Sequence, residues 1–169
     1  FDPLLNGGGT ASTNATAKGA VTLLFRTLSG INTGQRFLFS AGQTTSNNNA
    51  FAVFIENDNI ANGDPNSLKF RFGDSTTTIL QASNLALNAW HYLAINYDES
   101  TSSNSATWHV GPVGGNLSSG TTDNSSDSVA GEAVNMIIGN RTEAAATSSF
   151  RNPGSGRLDE IAIWHRELS

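Results

Sequence analysis

The chain contains no cysteine, only two lysines (Lys18 and Lys69), four prolines and no long apolar run. The first absence excludes disulfides, thiolate metal sites and thiol nucleophiles, and leaves the redox compartment open, since disulfides are optional even outside the cell. Cations are scarce: nine Lys and Arg against fourteen Asp and Glu give a formal charge of −5. Neither nucleic acid nor an anionic membrane surface is therefore an expected partner. No segment approaches the roughly 20 apolar residues of a membrane-spanning helix. The opening Phe1-Asp2-Pro3-Leu4-Leu5 lacks the basic-then-apolar layout of a signal peptide. At 169 residues the chain reads as one domain, residues 1–169, able to bury about 70 % of its unfolded surface without a metal or cross-link.

Small polar residues take the place of what is missing. Gly, Asn, Ser and Thr make up more than two fifths of the chain, and all four favour turns, caps or strands over helix interiors. They concentrate in Gln43 to Asn49, Ser100 to Ser105 and Asn116 to Ser128, which read as long surface loops. Between them apolar residues recur at period two. In Leu68-Lys69-Phe70-Arg71-Phe72 the apolar side chains share one face and both cations the other, the pattern of a half-buried strand. Comparable runs are Val21 to Leu28, Phe37 to Ser40, Phe51 to Ile55, Thr78 to Leu80, Trp90 to Tyr97, Thr107 to Val110, Val134 to Ile138 and Leu158 to Trp164. Nine such strands with turn-rich spacers predict an all-β antiparallel sandwich or barrel. Gly114-Gly115-Asn116 predicts a tight turn after the Trp108 strand.

Three segments carry a family pattern. Gly156 and the run Arg157-Leu158-Asp159-Glu160-Ile161-Ala162-Ile163-Trp164-His165-Arg166-Glu167-Leu168-Ser169 resemble the closing strand of laminin G-like, concanavalin A-like jelly rolls. Trp90-His91-Tyr92-Leu93-Ala94-Ile95-Asn96-Tyr97-Asp98 resembles that family's central strand, and Met136-Ile137-Ile138-Gly139-Asn140 its penultimate one. The segments occur in the family's order, and the resemblance covers about residues 19 to 169. Leu24-Phe25 stands where the family often carries a Trp, and no Asp-Gly turn follows Trp108. The resemblance implies a two-sheet antiparallel jelly-roll sandwich with sheets about 10 Å apart. It does not imply one activity, because this superfold carries lectins, carbohydrate-binding modules, adhesion domains and some glycosidases.

Catalysis needs residues this chain arranges poorly. A glycosidase places two carboxylates across one sugar. Glu56-Asn57-Asp58-Asn59-Ile60-Ala61 resembles the Glu-x-Asp-x-x-Glu strand of laminarinase-type glycosidases, but Ala61 replaces the final acid and the turn Asn62-Gly63-Asp64-Pro65 follows. Asp159-Glu160 are adjacent, and neighbours on a regular strand point to opposite faces. There is no Gly-x-Ser-x-Gly elbow. No enzymatic activity is therefore expected.

Every Trp precedes a His: Trp90-His91, Trp108-His109 and Trp164-His165 use all three of each. On a strand one member of each pair faces inward and the other outward. The resemblance implies that Trp90 and Trp164 fill core or rim positions. Trp108 has no family counterpart and reads as a candidate platform for a sugar ring, with His109 among the hydrogen-bonding groups. The scattered histidines lack zinc spacing. Calcium suits the abundant oxygen donors better; the resemblance implies a structural calcium held by Asp159, assisted by Asp2, with a carboxylate that caps backbone N–H groups as the equal alternative. Four sequons, beginning at Asn14, Asn116, Asn124 and Asn140, are no more than chance supplies in so polar a chain. Arg141 and Arg151 read as solvated loop arginines, with a bidentate clamp on a uronate or sulfate as the side alternative. The expected function is a non-catalytic carbohydrate-binding or recognition module of a secreted or surface protein, its partner a polysaccharide or glycan. A protein-binding adhesive spacer is the alternative, with a surface protein as partner, and a divergent glycosidase the third reading.

Overall fold

A computed structural model describes residues 18–27, 34–41, 51–57, 67–72, 76–81, 85–98, 106–122, 137–139, 156–164 and 168. The described elements are all strands: β1 (Lys18–Thr27), β2 (Gly34–Ala41), β3 (Phe51–Asn57), β4 (Ser67–Phe72), β5 (Thr76–Gln81), β6 (Trp90–Asp98), β7 (Ala106–Pro112), β8 (Ser118–Thr122), β9 (Ile137–Ile138) and β10 (Gly156–Trp164). They form two five-stranded sheets, ordered β10-β1-β6-β7-β8 and β5-β4-β3-β2-β9. Every pairing is antiparallel. The expected all-β, two-sheet antiparallel sandwich is the fold.

Period two governs the first sheet. Along β6 burial alternates strictly, with His91, Leu93, Ile95 and Tyr97 inside and Trp90, Tyr92, Ala94, Asn96 and Asp98 half-buried on the other face. Neighbouring strands follow in register. Val21, Leu23 and Phe25 of β1 stand opposite Ile95, Leu93 and His91. Ala106, Trp108 and Val110 of β7 stand opposite Tyr97, Ile95 and Leu93. These side chains meet Phe39, Val53, Ile55, Leu68 and Phe70 of the second sheet in one hydrophobic core, whose burial from water drives the two sheets together.

Large rings in this layer sit over glycines. A Cβ built on Gly120 would collide with the Trp108 ring, and one on Gly19 would lie 2.7 Å from the Tyr97 Oη. In both places the partner strand needs a residue without a side chain for the aromatic to lie flat.

Strand β10 would lose its phase without an irregularity. Thr22 pairs with Ala162, but Leu24 pairs with Asp159, so two residues of β10 oppose Leu23 alone. Glu160 takes a left-handed φ of 47° at this bulge. The extra residue lets both Leu158 and Ile161 pack against the core, which strict alternation forbids for residues three apart.

Four features depart from the sequence reading. Strand β8, Ser-Ser-Gly-Thr-Thr, lies inside the tract expected as loop; with no apolar residue it carries no periodic signal, and its pairing with β7 supplies the order. Lys69 is buried rather than on a solvent face. It stands opposite Phe54, which stacks on Phe37 at 5.1 Å in a second buried cluster on that side of the sheet. The turn joining β7 to β8 runs from Pro112 to Gly115, closed by Gly115 N–H to Pro112 O at 2.9 Å, earlier than predicted. Gly114, at its third position, has φ +81°, the left-handed value a type II turn requires. Finally, His91 rather than Trp90 occupies the core, and Trp164 is 38 % exposed.

Overpacking at Gly120 is the sharpest check of this architecture. Gly120→Val should lower unfolding free energy by about 1–3 kcal/mol, measured by denaturant titration. An unchanged midpoint would show that the Trp108 ring does not lie across that strand.

Candidate functional site

The solvent-facing side of the first sheet is built by the same registers. Its rows across the strands read Arg157, Arg26, Trp90; then Asp159, Leu24, Tyr92, Gly111; then Ala162, Thr22, Ala94, His109, Ser119; then Trp164, Ala20, Asn96, Thr107, Thr121. The last row is covered in part. Asn96 Nδ2–H donates to the Leu168 carbonyl at 3.0 Å, and the Leu168 N–H donates to Asn96 Oδ1 at 3.0 Å. This two-bond clamp holds the closing segment across the sheet, and Ala20 is fully buried. On another side, the built Cβ of Gly111 would meet the Asn116 carbonyl and lie 3.1 Å from Leu117 Cδ2. The loop after the turn thus occupies the space that a side chain at 111 would fill. Val113 and Leu117 stay exposed on it.

Between these boundaries lies a face that carries two cations side by side. Arg26 and Arg157 are direct cross-strand partners, an arrangement of like charges that destabilises a sheet. Among the described residues neither guanidinium has a carboxylate partner. Arg26 Nε is buried and makes no hydrogen bond among the described residues, which leaves a donor's desolvation cost uncompensated there. The nearest acid along β10, Asp159, has its Oδ1 engaged by the Glu160 N–H at 2.8 Å. Beside the arginines, Trp90 and Tyr92 present two half-buried rings from one strand. Guanidinium pairs bind carboxylates and sulfates through charge-assisted, bidentate hydrogen bonds, and aromatic faces stack on sugar C–H surfaces.

Directly behind this face sits His91. Its ring stacks on Phe25 with centroids 5.3 Å apart, and its Nδ1–H donates to the Ala89 carbonyl at 3.1 Å. Burial holds the imidazole below its ordinary 6.5, and the Ala89 hydrogen bond opposes that shift only in part.

The residues singled out from sequence fall in different places. Trp108 packs against the core from the inner face, with Nε1 buried and without a hydrogen bond, whereas His109 is exposed on the outer face. Asp159 is exposed and holds a backbone N–H, as in the capping alternative. Among the described residues no three His, Asp or Glu side chains gather as a metal site. Asp2, Arg141, Arg151, His165 and Asp58 lie outside the described residues. Glu56 lies next to the end of β3 in the opposite sheet, paired with Gln35 and Ser67. At Asp159-Glu160 the bulge suspends the alternation assumed from sequence, and both are exposed. The arginine pair was missed although Arg26 falls on the outward phase of a predicted strand, because the sequence does not disclose that β10 is its neighbour.

No protein-family model matches the chain, and no curated protein sequence does. Solved structures do. A leech intramolecular trans-sialidase complexed with 2,7-anhydro-Neu5Ac superposes with a TM-score of 0.61 at 18% identity, covering 90% of this chain and 22% of that one. This chain thus spans under a quarter of the leech enzyme. The CBM40 of a Ruminococcus gnavus IT-sialidase bound to α2,3 sialyllactose gives 0.61 at 12% identity, covering 90% and 78%. The same module bound to α2,6 sialyllactose gives 0.54 at 13%, with the same coverage. At these identities the likeness establishes a shared β-sandwich fold. In the described residues no helix is long and apolar enough to cross a membrane.

His91 generates a pH prediction. The unfolded chain takes up its proton near 6.5 and the folded chain only at lower pH, so its contribution to stability is full above 6.5, declines below it and is gone once pH passes the lowered folded value. Between pH 7 and 5 the wild type should therefore lose more unfolding free energy than His91→Phe. Equal losses in both proteins would place the imidazole in solvent.

Proposed function

We propose that this chain is a non-catalytic carbohydrate-binding module that takes an acidic glycan on the outer face of its first sheet. The observation that carries the reading is the cross-strand pair Arg26 and Arg157 beside Trp90 and Tyr92. A carboxylate accepting from both guanidiniums offsets their repulsion. The sugar ring then lies toward Trp90 and Tyr92, with His109 and Ser119 farther along the face as hydrogen-bonding groups. Trp108, on the opposite side of the sheet, supports this surface from behind. Sialyllactose, the glycan bound in two structural neighbours, carries one carboxylate on its terminal sugar and is the natural probe.

Several finer assignments belong to the same reading. A binding role without catalysis is supported by the make-up of the face, where cations and aromatics outnumber acids. A secreted or surface setting suits a glycan ligand. The laminin G-like, concanavalin A-like assignment is supported by the closing segment, whose Ile161 and Ile163 pack against the core. A structural calcium at Asp159 and Asp2 is a separate proposal, and affinity unchanged by a chelator would leave it without a function.

Binding should be measured by calorimetry with α2,3-sialyllactose against lactose. The wild type should bind only the acidic sugar, and Arg26→Gln or Arg157→Gln should weaken it about 10- to 100-fold, since a charged hydrogen bond is worth about 1.5–3 kcal/mol. Folded variants that bind as tightly as the wild type would overturn the assignment of this face.

A further inference from the structure

We propose that His91 makes ligand binding on the outer face acid-labile, so that the module releases its glycan as pH falls from neutral to about 5. The proposal rests on the reading of that face given above and concerns its regulation.

The β1–β6 ladder sets two pairs side by side, Phe25 opposite His91 and Arg26 opposite Trp90. Strand alternation turns the first pair to the core and the second to the glycan. His91 is 1% exposed, and its ring is accommodated as a neutral aromatic on Phe25. An imidazolium there needs water or an anion. The described residues of the facing layers provide neither. On β10 and β1, Leu158, Phe25 and Leu23 surround its row; on β6, Leu93 follows it; on β7, Pro112 is its partner and Val110 the next inward residue. The inward residues of the opposite sheet are Phe39, Val53, Ile55, Leu68 and Phe70. Tyr97, also titratable, lies at the far end of β6.

Protonated His91 is therefore relieved by leaving the layer, and this displaces the ends of β1 and β6. Arg26 and Trp90 are the adjoining residues of those same ends, so the ligand binds the state in which His91 is neutral. Proton and glycan then oppose each other by linkage. The charged groups across the sheet do not produce this effect. Arg26 and Arg157 stand on the glycan's own side and attract an anion, and His109 lies farther along the same face. The ligand's carboxylate, like other carboxylates, remains largely ionised above pH 5.

The test has two arms. In the first, affinity of the whole domain for α2,3-sialyllactose is measured from pH 7.5 to 5.0, with near-ultraviolet circular dichroism confirming a folded protein at each pH. Wild type should weaken about fivefold or more, while His91→Phe, which keeps a ring against Phe25, should stay within about twofold; His91→Leu serves if the Phe variant does not fold. In the second, without ligand, the Arg26 Nε–H and Trp90 Nε1–H resonances should shift with acid in wild type and not in the variant. A flat wild-type affinity, or an equal fall in the variant, overturns the acid switch while leaving the binding face intact. Resonances that ignore pH overturn it independently of any sugar. No binding at pH 7.5 overturns the assignment of the face itself.

Discussion

One strand serves two solvents. Strand β6 runs through the middle of the first sheet, and its period-two alternation sends His91, Leu93, Ile95 and Tyr97 into the core while Trp90, Tyr92, Ala94 and Asn96 face outward. Registers with β1 and β7 repeat that partition on either side. Because a shift of one residue would exchange the two faces completely, core packing fixes the outer face as firmly as it fixes the inner one. The arginines, rings and polar groups of the outer face are thus placed by the burial of Val21, Leu23, Phe25 and Ile95.

The same constraint explains the irregularities. The bulge at Glu160 costs a left-handed backbone in a non-glycine residue, of order 1 kcal/mol or more. It keeps Leu158 and Ile161 in the core and leaves Arg157 opposite Arg26. Gly19 and Gly120 leave space for Tyr97 and Trp108. Asn96 spends both ends of its amide on Leu168 and so closes one border of the outer face, while Leu117 and Asn116 border another through the empty position at Gly111. What lies between departs from local stability rules: two opposed cations, one with a buried donor that has no acceptor among the described residues. Such departures gather where a partner supplies what the fold omits.

Strand periodicity made the fold class readable, because long runs such as Trp90 to Tyr97 alternate cleanly. It failed at β8, where Ser118, Ser119, Thr121 and Thr122 have no apolar phase to detect, and at Lys69, whose burial depends on what lies beyond its own strand. The Trp-His pairs read as split across the sheet with Trp90 expected at a core or rim position, but the register turns His91 inward and leaves Trp90 half-buried on the outer face. The arginine pair was illegible for a deeper reason: Arg26 and Arg157 are separated by most of the chain, and their juxtaposition follows from topology rather than motif. Fold likeness at 12% to 18% identity establishes the sandwich alone; the residues of the outer face come from the sheet's own register.

The measurement that tests this most directly is a residue-resolved nuclear magnetic resonance titration with α2,3-sialyllactose at neutral pH. The account predicts saturable shifts at the Arg26 and Arg157 guanidinium protons and at the Trp90 indole, with the Trp108 indole following weakly or not at all. Shifts concentrated at Trp108, or confined to residues outside the first sheet, would contradict it.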